Sequence, residues 1–167
     1  MISKKVLSYL DKNKIKYEKL LHKTVYTAYD LAKTLKEELK KVAKTLLVKV
    51  DGRYVLVVMP AHYRLDLTKA KKAFKAKKIE LVPEKVMLKV LKIKPGKMTA
   101  FGKLHKLETW VDKSLTKTEK AIISAGSFTE SLRLKVKDFV KLEEARLAQL
   151  AEVVKLVAKT KKKKKLA

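Results

Sequence analysis

The dipeptide Asp51-Gly52 constrains the fold of this chain more than any other short segment. It lies between two apolar, β-branched runs, residues 44–50 (KTLLVKV) and residues 54–59 (YVLVVM). Asp-Gly between such runs is a strong signal for a two-residue β-hairpin, because both central residues of the turn need positive φ. The second run is almost continuously apolar, which predicts a central strand that is buried on both faces.

Helical and strand patterns alternate around this hairpin. Helical spacing of apolar residues predicts helices over residues 3–12, 27–39, 66–75, 83–91 and 137–142. Their predicted first residues are the N-caps Ser3, Thr27 and Asp66, and Pro83 at a first helical position. Short apolar runs predict further strands over residues 15–21, 79–82, 109–112, 121–124 and 132–136. This mixture favours an α+β fold with a largely antiparallel sheet.

The C-terminal part of the chain differs from the rest. Leu147, Leu150, Val154 and Val157 fall on one helical stripe, which predicts an amphipathic helix. Lys159 and the run 161–165 follow, and such a run of like charges is typical of a disordered, solvated arm. We therefore divide the chain into a folded domain (1–143), an amphipathic helix (144–158) and a basic tail (159–167).

The charge of the chain points to a polyanionic partner. Lys+Arg number 43 against 17 Asp+Glu, a net charge of +26, while 47% apolar residues indicate a folded core. A folded domain that repels itself this strongly is expected to bind a polyanion. Nucleic acid is the first choice. An anionic membrane surface is the second, and the absence of Trp and Phe from the C-terminal stripe argues against it.

The composition excludes several kinds of site. The chain has no cysteine, so disulfides, thiolate metal sites and thiol nucleophiles are ruled out. Its histidines, His22, His62 and His105, form no HxH or HxxxH pair, so the sequence predicts no metal site and no cofactor. No run of 18 apolar residues and no apolar leader segment occur, so we expect a cytoplasmic protein.

A lysine-rich loop is the most informative stretch for function. Residues 91–106 (LKIKPGKMTAFGKLHK) contain a Pro95-Gly96 turn and a second turn at Phe101-Gly102. Backbone shaped by proline and glycine can offer N–H groups to an anion or to an attacking water. An ordinary surface turn gives the same pattern, so the loop alone leaves both interpretations open.

An ordered set of short motifs resembles a known family. The motifs are His22, Thr27-Ala28 and residues 44–47, 52–56, 64–67, 93–96, 101–102, 111–112, 126–127, 131–132 and 138–139. In this order they resemble the YbaK family of aminoacyl-tRNA deacylases, which also occurs as the editing domain inserted in bacterial prolyl-tRNA synthetases. The resemblance covers residues 1–143, and it is the order of the motifs that makes it specific.

The resemblance implies a fold, an activity and partners. The fold is α+β, with a mostly antiparallel, partly barrel-like central sheet surrounded by helices. The activity is metal-independent hydrolysis of the ester that joins a wrong amino acid to the 3′ end of a tRNA. The expected partners are that aminoacylated tRNA end and an aminoacyl-tRNA synthetase.

The resemblance also assigns roles to individual residues. Lys44 matches the lysine that the family uses at the tRNA end, near the terminal phosphate and the substrate amine. Residues 91–95 match the GxxxP loop, whose backbone positions the ester and the water. The implied catalytic residues are therefore Lys44, Leu91, Pro95 and Gly96. The implied substrate-binding residues are His22, Thr27, Gly126 and Ser127.

Leu91 departs from the family pattern, in which the loop begins with glycine. Leucine does not take positive φ cheaply and would bring bulk close to the ester. Either Gly96 and a shifted backbone supply the same donors, or the active site is altered. Three functions stay open: a trans-editing deacylase, a non-catalytic tRNA- or RNA-binding module on the same fold, and a general nucleic-acid-binding protein.

Ester hydrolysis needs a water, a group that takes its proton and donors for the oxyanion. The sequence contains no convincing Ser/His/Asp set, which leaves backbone donors assisted by the ribose hydroxyl beside the ester. The tyrosines and Trp110 could stack on bases, but core or sheet positions explain most of them. Asp112 is expected to cap the turn that follows it, and the sequence does not reveal which amino acid is removed.

Overall fold

The computed structural model describes residues 1–94 and 96–154, in which helices and strands alternate along the chain. The helices are α1 (Lys4–Lys12), α2 (Ala28–Thr34), α3 (Leu67–Phe74), α4 (Glu84–Leu91) and α5 (Val136–Glu143). The strands are β1 (Tyr17–Leu21), β2 (Ala43–Val50), β3 (Arg53–Pro60), β4 (Tyr63–Leu65), β5 (Ile79–Leu81), β6 (Glu108–Asp112), β7 (Lys120–Ile123), β8 (Glu130–Lys135), β9 (Arg146–Ala148) and β10 (Ala151–Val153).

The hairpin at Asp51-Gly52 lies at the centre of a five-stranded sheet. Both turn residues have positive φ, 45° at Asp51 and 90° at Gly52, as a two-residue hairpin requires. The strand order is β5-β2-β3-β6-β9, antiparallel around β2 and parallel from β3 to β9. Residues 55–59 of β3 have no exposed surface, so the prediction of a central strand buried on both faces is confirmed.

Two smaller sheets complete the fold. Strands β1, β8 and β7 form an antiparallel sheet, which touches the start of β2 through a bridge between Val42 and Ile122. Strands β4 and β10 form an antiparallel pair. The α+β class with much antiparallel pairing is confirmed, and none of the sheets in the described part of the chain closes into a barrel.

Hydrophobic clusters cover both faces of the five-stranded sheet because its side chains alternate in direction. On one face, α1 and α5 pack with Phe101 and Phe139, and the cluster includes Val58 of β3. On the other face, Val57 contributes to the cluster in which Phe74 of α3 packs against Trp110, with ring centroids 4.3 Å apart. The sheet is therefore a rigid support for the strand ends and loops around it.

The three predicted N-caps are confirmed at atomic detail. The side chains of Ser3, Thr27 and Asp66 each accept a hydrogen bond from a backbone N–H in the first turn of α1, α2 and α3. Two details were wrong. Helix α2 ends at Thr34 rather than residue 39, because Lys36 takes a φ of 53° and the Glu37 N–H donates back to the Ala32 carbonyl. Pro83, predicted at the first helical position, is instead the N-cap of α4, which begins at Glu84.

The prediction of an amphipathic helix over 144–158 was wrong for its described part. Helix α5 ends where Glu144 takes a φ of 50°, and residues 146–148 and 151–153 form β9 and β10. These strands pair with the free edges of β6 and β4. Asp112 Oδ1 accepts hydrogen bonds from the N–H groups of Leu150 and Ala151, which holds the connection between the two strands. Pairing with an open edge outweighs the local helical spacing.

The rest of that predicted helix and the basic tail, residues 159–167, lie outside the described residues. The predictions for them, and the division of the chain at residue 143, stay predictions.

Candidate active site

A cavity of about 440 Å³ lies at the end of β2 that is opposite the Asp51-Gly52 turn. Its walls come from four parts of the chain, and the lining residues are Val25–Tyr29 and Leu31, then Ala43–Leu46 with Ala61, then Glu84, Met87, Ile93, Lys94, Gly96 and Met98, and finally Ser124, Ser127, Phe128 and Ser131. The start of β2, the start of α2, the region of α4 and the β7–β8 connection therefore meet around one cavity.

Lys44 lies in this cavity as a half-buried cation. It is the second residue of β2, paired across the hairpin with Met59. Burial lowers the pKa of the Lys44 ammonium, because a low-dielectric surrounding disfavours the charged form. No carboxylate of the described residues forms an ion pair with it. Its charge is thus poorly solvated and available to an anion that enters the cavity.

Two hydroxyl groups meet beside Lys44. Thr45 Oγ1 and Ser124 Oγ are 3.3 Å apart, and both residues line the cavity. One comes from β2 and the other follows β7, so the pair exists only because the two sheets meet here. Neither residue was predicted as a site residue: Thr45 falls in the motif at residues 44–47 but only Lys44 was given a role there, and Ser124 falls in none of the motifs.

Gly96 carries the lysine-rich loop along the cavity wall. Its φ is +79°, and a Cβ placed on it would lie 2.5 Å from Phe128 Cε2. Both Gly96 and Phe128 line the cavity. The Lys97 N–H donates to the Lys94 carbonyl at 3.0 Å, which closes the predicted turn. Pro95 lies outside the described residues.

His105 anchors the far end of this loop. The Thr99 N–H donates to His105 Nε2 at 3.1 Å, so that nitrogen is unprotonated. Burial, and to a smaller extent the charge of Lys5, lowers the pKa of the His105 imidazole. A neutral imidazole is what this hydrogen bond requires, and it ties residue 99 to the short 3₁₀ helix Gly102–His105.

Thr27 and Ser127, two of the predicted substrate-binding residues, line the same cavity as Lys44 and Gly96. The Thr27 hydroxyl accepts from the Asp30 N–H at 3.0 Å and so begins α2 at the cavity wall. Ser127 Oγ accepts from the N–H groups of Thr129 and Glu130, both at 3.1 Å, which shapes the turn into β8. Each residue therefore supports local structure at the position where it lines the cavity.

His22 and Gly126 lie behind the cavity wall rather than on it. His22 Nδ1 is 2.8 Å from the Lys23 carbonyl, which only accepts, so Nδ1 carries a proton. His22 Nε2 is 2.9 Å from the hydroxyl of Ser131, which does line the cavity. A Cβ on Gly126 would lie 3.3 Å from the Lys97 carbonyl, so this glycine lets the two loops approach.

Leu91 is the last residue of α4 and packs into a small cluster with Leu47, Leu56 and Val82. It is not among the residues that line the cavity. Its backbone is helical, and the positive φ appears one residue later, 57° at Lys92. The expectation that leucine at this position brings bulk close to the ester is not met by this geometry.

Exposed aromatic side chains stand at the cavity. Tyr26 is 73% exposed and Tyr29 is 53% exposed, and both line the cavity. The Tyr26 ring packs edge-on against Phe128, with centroids 4.8 Å apart. A core position explains neither tyrosine, whereas Trp110 is a core residue and Asp112 accepts from Ser114 N–H as a cap, both as expected.

Residues 1–94 and 96–154 offer neither a metal-binding cluster nor a membrane span. No three His, Asp or Glu side chains come together there in a way that could hold a metal ion. None of the helices there has the length and apolar character to cross a membrane.

Comparison with known proteins identifies the family. The sequence profile described as the aminoacyl-tRNA editing domain matches residues 22–142, well over half of the chain. The chain belongs to the aminoacyl-tRNA editing domain family. Membership confirms the resemblance drawn from the ordered motifs, and it attaches tRNA editing to this fold at the level of the family.

The curated relatives of this editing-domain chain include proline–tRNA ligases. The ligase of Macrococcus caseolyticus is 28% identical over 109 residues, which is 65% of this chain and 19% of that protein. A Staphylococcus aureus ligase is 31% identical over 81 residues, 48% of this chain and 14% of that protein. The chain thus spans less than a fifth of the length of these relatives.

Solved structures share the fold. The hypothetical protein APE2540 superposes with a TM-score of 0.79 at 19% identity, over 89% of this chain and 100% of that one. A candidate trans-editing enzyme for prolyl tRNA synthetase superposes with a TM-score of 0.73 at 20% identity, over 91% of this chain and 99% of that one.

Proposed function

We propose that this editing-domain protein hydrolyses the ester bond of a misacylated tRNA, as a freestanding trans-editing deacylase that uses no metal. The observation that carries the proposal is the gathering of Lys44, Gly96, Thr27 and Ser127 around one cavity. These residues come from four separate stretches of chain, and each was assigned to the site by its match to the family's motifs. Family membership supports the same reaction class.

Lys44 is proposed to hold the anionic end of the substrate. A poorly solvated ammonium attracts a phosphate more strongly than a surface lysine does, because the effective dielectric constant is lower. The terminal phosphate of the tRNA would then fix the last adenosine, with its acylated ribose directed toward the loop of Gly96. Restricting the ester to this position supplies part of the rate increase through orientation alone.

The loop that contains Gly96 is proposed to supply backbone N–H groups to the ester oxygen as charge develops on it. The paired hydroxyls of Thr45 and Ser124 are close enough to each other to hold one water between them and the ester. The ribose hydroxyl beside the ester completes the set of groups around that water. As the water attacks the carbonyl carbon and the bond to the ribose oxygen breaks, the proton that the water loses would pass through the neighbouring ribose hydroxyl to the leaving oxygen, so no acidic or basic side chain is required at the carbonyl.

The exposed rings of Tyr26 and Tyr29 are proposed to receive the unpaired bases of the tRNA end. Stacking on aromatic rings tolerates any base, which suits an enzyme that handles the shared 3′ end. Three lysines of the loop, Lys92, Lys94 and Lys97, would contact the phosphate backbone. Lys94 lines the cavity, and the other two are sequence neighbours of lining residues. Such contacts supply affinity without base specificity.

The test is a panel of misacylated tRNAs incubated with the wild-type protein and with Lys44→Ala. We expect loss of at least one ester with the wild-type protein and a rate lowered at least tenfold by the substitution. Lys49→Ala is the matched control, since Lys49 is also half-buried on β2 but contacts Tyr54, with its Nζ 5.8 Å from the ring centroid. Equal rates for the wild type and Lys44→Ala would refute the proposed role of Lys44.

The second candidate is a non-catalytic tRNA-binding module, and Leu91 is the observation that favours it. The family glycine is absent at this position, and the backbone there is helical. Tight binding of tRNA with no ester loss across the whole panel would assign the protein to this class. An aminoacyl-tRNA synthetase as a further partner is part of the proposal in either case, and co-purification with prolyl-tRNA synthetase tests it.

A further inference from the structure

Glu84 is the one carboxylate among the described residues that line the cavity. It is the first residue of α4, directly after Pro83. Met87 lies three residues later and also lines the cavity. Residues three apart share one face of a helix, so the face of α4 that carries Glu84 and Met87 is the face toward the cavity.

The Glu84 carboxylate has no ion pair and accepts no hydrogen bond within residues 1–94 and 96–154. This is unusual in a chain with 43 Lys+Arg, where most other glutamates of the described part have a partner. Glu119 is the other exception, and it lies at a separate groove beside α5. Glu84 is thus an exposed, unpaired carboxylate on a cavity wall whose other charged side chains, Lys44 and Lys94, are positive.

An aminoacyl ester brings its own cation into such a site. Its α-ammonium is one carbon away from the ester carbonyl, so any cavity that binds the ester must also accommodate that charge. Lys44 and Lys94 would repel the ammonium, and the Glu84 carboxylate would attract it. Carboxylate is also the acceptor that forms the strongest hydrogen bonds with an ammonium group.

We propose that Glu84 binds the α-ammonium of the aminoacyl group and so makes the site selective for esters with a free, charged amine. This inference rests on the proposed function, because it names what in the substrate the same cavity recognises. Glu84 would place the ammonium on the α4 side of the cavity and leave the carbonyl facing the loop of Gly96. N-blocked esters and esters of 2-hydroxy acids would lack this contact.

The probe is a short RNA ending in CCA whose 3′-amino adenosine carries alanine through an amide, which cannot be hydrolysed as an ester. Alanine is chosen because its side chain is small, so binding of the probe does not depend on how large a side chain the cavity accepts. The comparison probe carries lactate in the same linkage, so that a neutral hydroxyl replaces the ammonium at nearly constant shape. Dissociation constants of both probes are measured for the wild type, for Glu84→Gln and for Glu119→Gln.

We expect the wild type to bind the alanyl probe about tenfold more tightly than the lactyl probe, as for one hydrogen bond to a charged group. Glu84→Gln should bring this ratio close to one, mainly by weakening the alanyl probe. Glu119→Gln changes the net charge equally and should keep the ratio of the wild type. A ratio that is the same in Glu84→Gln and the wild type, or a wild type that does not discriminate, would overturn the inference.

Hydrolysis of the panel of misacylated tRNAs and of lactyl-tRNA by the same three proteins separates this inference from the proposed function. A wild type that discriminates between the probes through Glu84 but cleaves no ester would refute the deacylase and support the ammonium site. A wild type that cleaves esters with an amine preference that Glu84→Gln leaves unchanged would support the deacylase and refute the ammonium site.

Discussion

Gly96 lies so close to the ring of Phe128 that a Cβ on the glycine would stand 2.5 Å from Phe128 Cε2. Gly96 also has a φ of +79°, a conformation that costs other residues about 1–2 kcal/mol. Both residues line the cavity, and Phe128 in turn supports Tyr26. The shape of this part of the cavity wall therefore depends on residue 96 being a glycine, which has no side chain.

Gly96→Ala should therefore lower the hydrolysis rate strongly while lowering the free energy of unfolding only modestly. The backbone strain lowers the free energy of unfolding by about 1–2 kcal/mol, and the displaced Phe128 ring narrows the cavity. We expect kcat/KM for ester hydrolysis to fall at least tenfold. Gly52→Ala is the matched control, because Gly52 has a φ of +90° with nothing within 4 Å of its Cβ position. It should lose similar stability and keep its activity; equal activity in both variants would contradict the role of the Phe128 contact.

The Thr45 and Ser124 hydroxyls, 3.3 Å apart, should act as a unit. Thr45→Val and Ser124→Ala should each lower the deacylation rate by about 10- to 100-fold if they hold the attacking water together. Once one hydroxyl is gone, removing the other should lower the rate little further. The rate of the double variant should therefore lie within a few-fold of the rate of the slower single variant. Strictly multiplicative losses, measured as single-turnover rates, would show that the two groups act independently.

Features with local causes could be predicted from the sequence. The Asp51-Gly52 hairpin follows from two turn residues, and the starts of α1, α2 and α3 follow from Ser3, Thr27 and Asp66. Each cap needs only a hydroxyl or carboxylate within three residues of a free N–H. The family could be recognised from the order of the short motifs, which holds in this chain although Leu91 stands where the family has glycine.

Features that depend on distant partners could not be predicted. Thr45 and Ser124 are 79 residues apart in sequence, and no local pattern relates them. Leu147 and Leu150 have helical spacing, yet Leu147 is 44% exposed and Leu150 is fully buried, because their segments pair with the edges of β6 and β4. The sequence of residues 143–158 contains no information about these two strand edges, so the pairing could not be predicted from it.

Leu91→Gly tests whether the family glycine would improve this site. Leu91 ends α4 and packs with Leu47, Leu56 and Val82, so the substitution removes apolar contacts and introduces a poor helix former. We expect the free energy of unfolding to fall by about 2–3 kcal/mol. The deacylation rate should not rise, since Leu91 lies off the cavity wall. A clear gain in rate, measured well below the melting temperature, would show that leucine obstructs the ester after all.

His105 should make the protein less stable in mild acid. Burial lowers the pKa of His105 below its ordinary value of 6.5, so between these two values the unfolded chain binds more protons than the folded one. The stability that neutral His105 supplies is therefore complete above pH 6.5 and is lost as the pH falls toward the folded pKa. His105→Gln should flatten the pH dependence of the unfolding free energy below pH 6.5, measured by urea titration. His62, whose pKa burial also lowers, keeps its share in this variant, so the slope should shrink without vanishing.

The basic tail, residues 159–167, should add phosphate contacts when the protein binds tRNA. Deleting it removes Lys159 and the run 161–165, so binding should weaken and its dependence on salt should flatten. For every phosphate that the shortened protein no longer neutralises, the slope of log K against log salt should change by about 0.7–0.9.

Serine at positions 161–165 is the control that removes charge and keeps the length of the tail. It should reproduce most of the effect of the deletion, measured as binding isotherms at several salt concentrations. An unchanged slope in both variants would exclude the tail from the RNA interface. Sedimentation of the wild-type protein with anionic vesicles would then test a membrane surface as the partner of the tail. Salt-dependent sedimentation would support it, because a lysine run next to apolar residues binds such vesicles in this way.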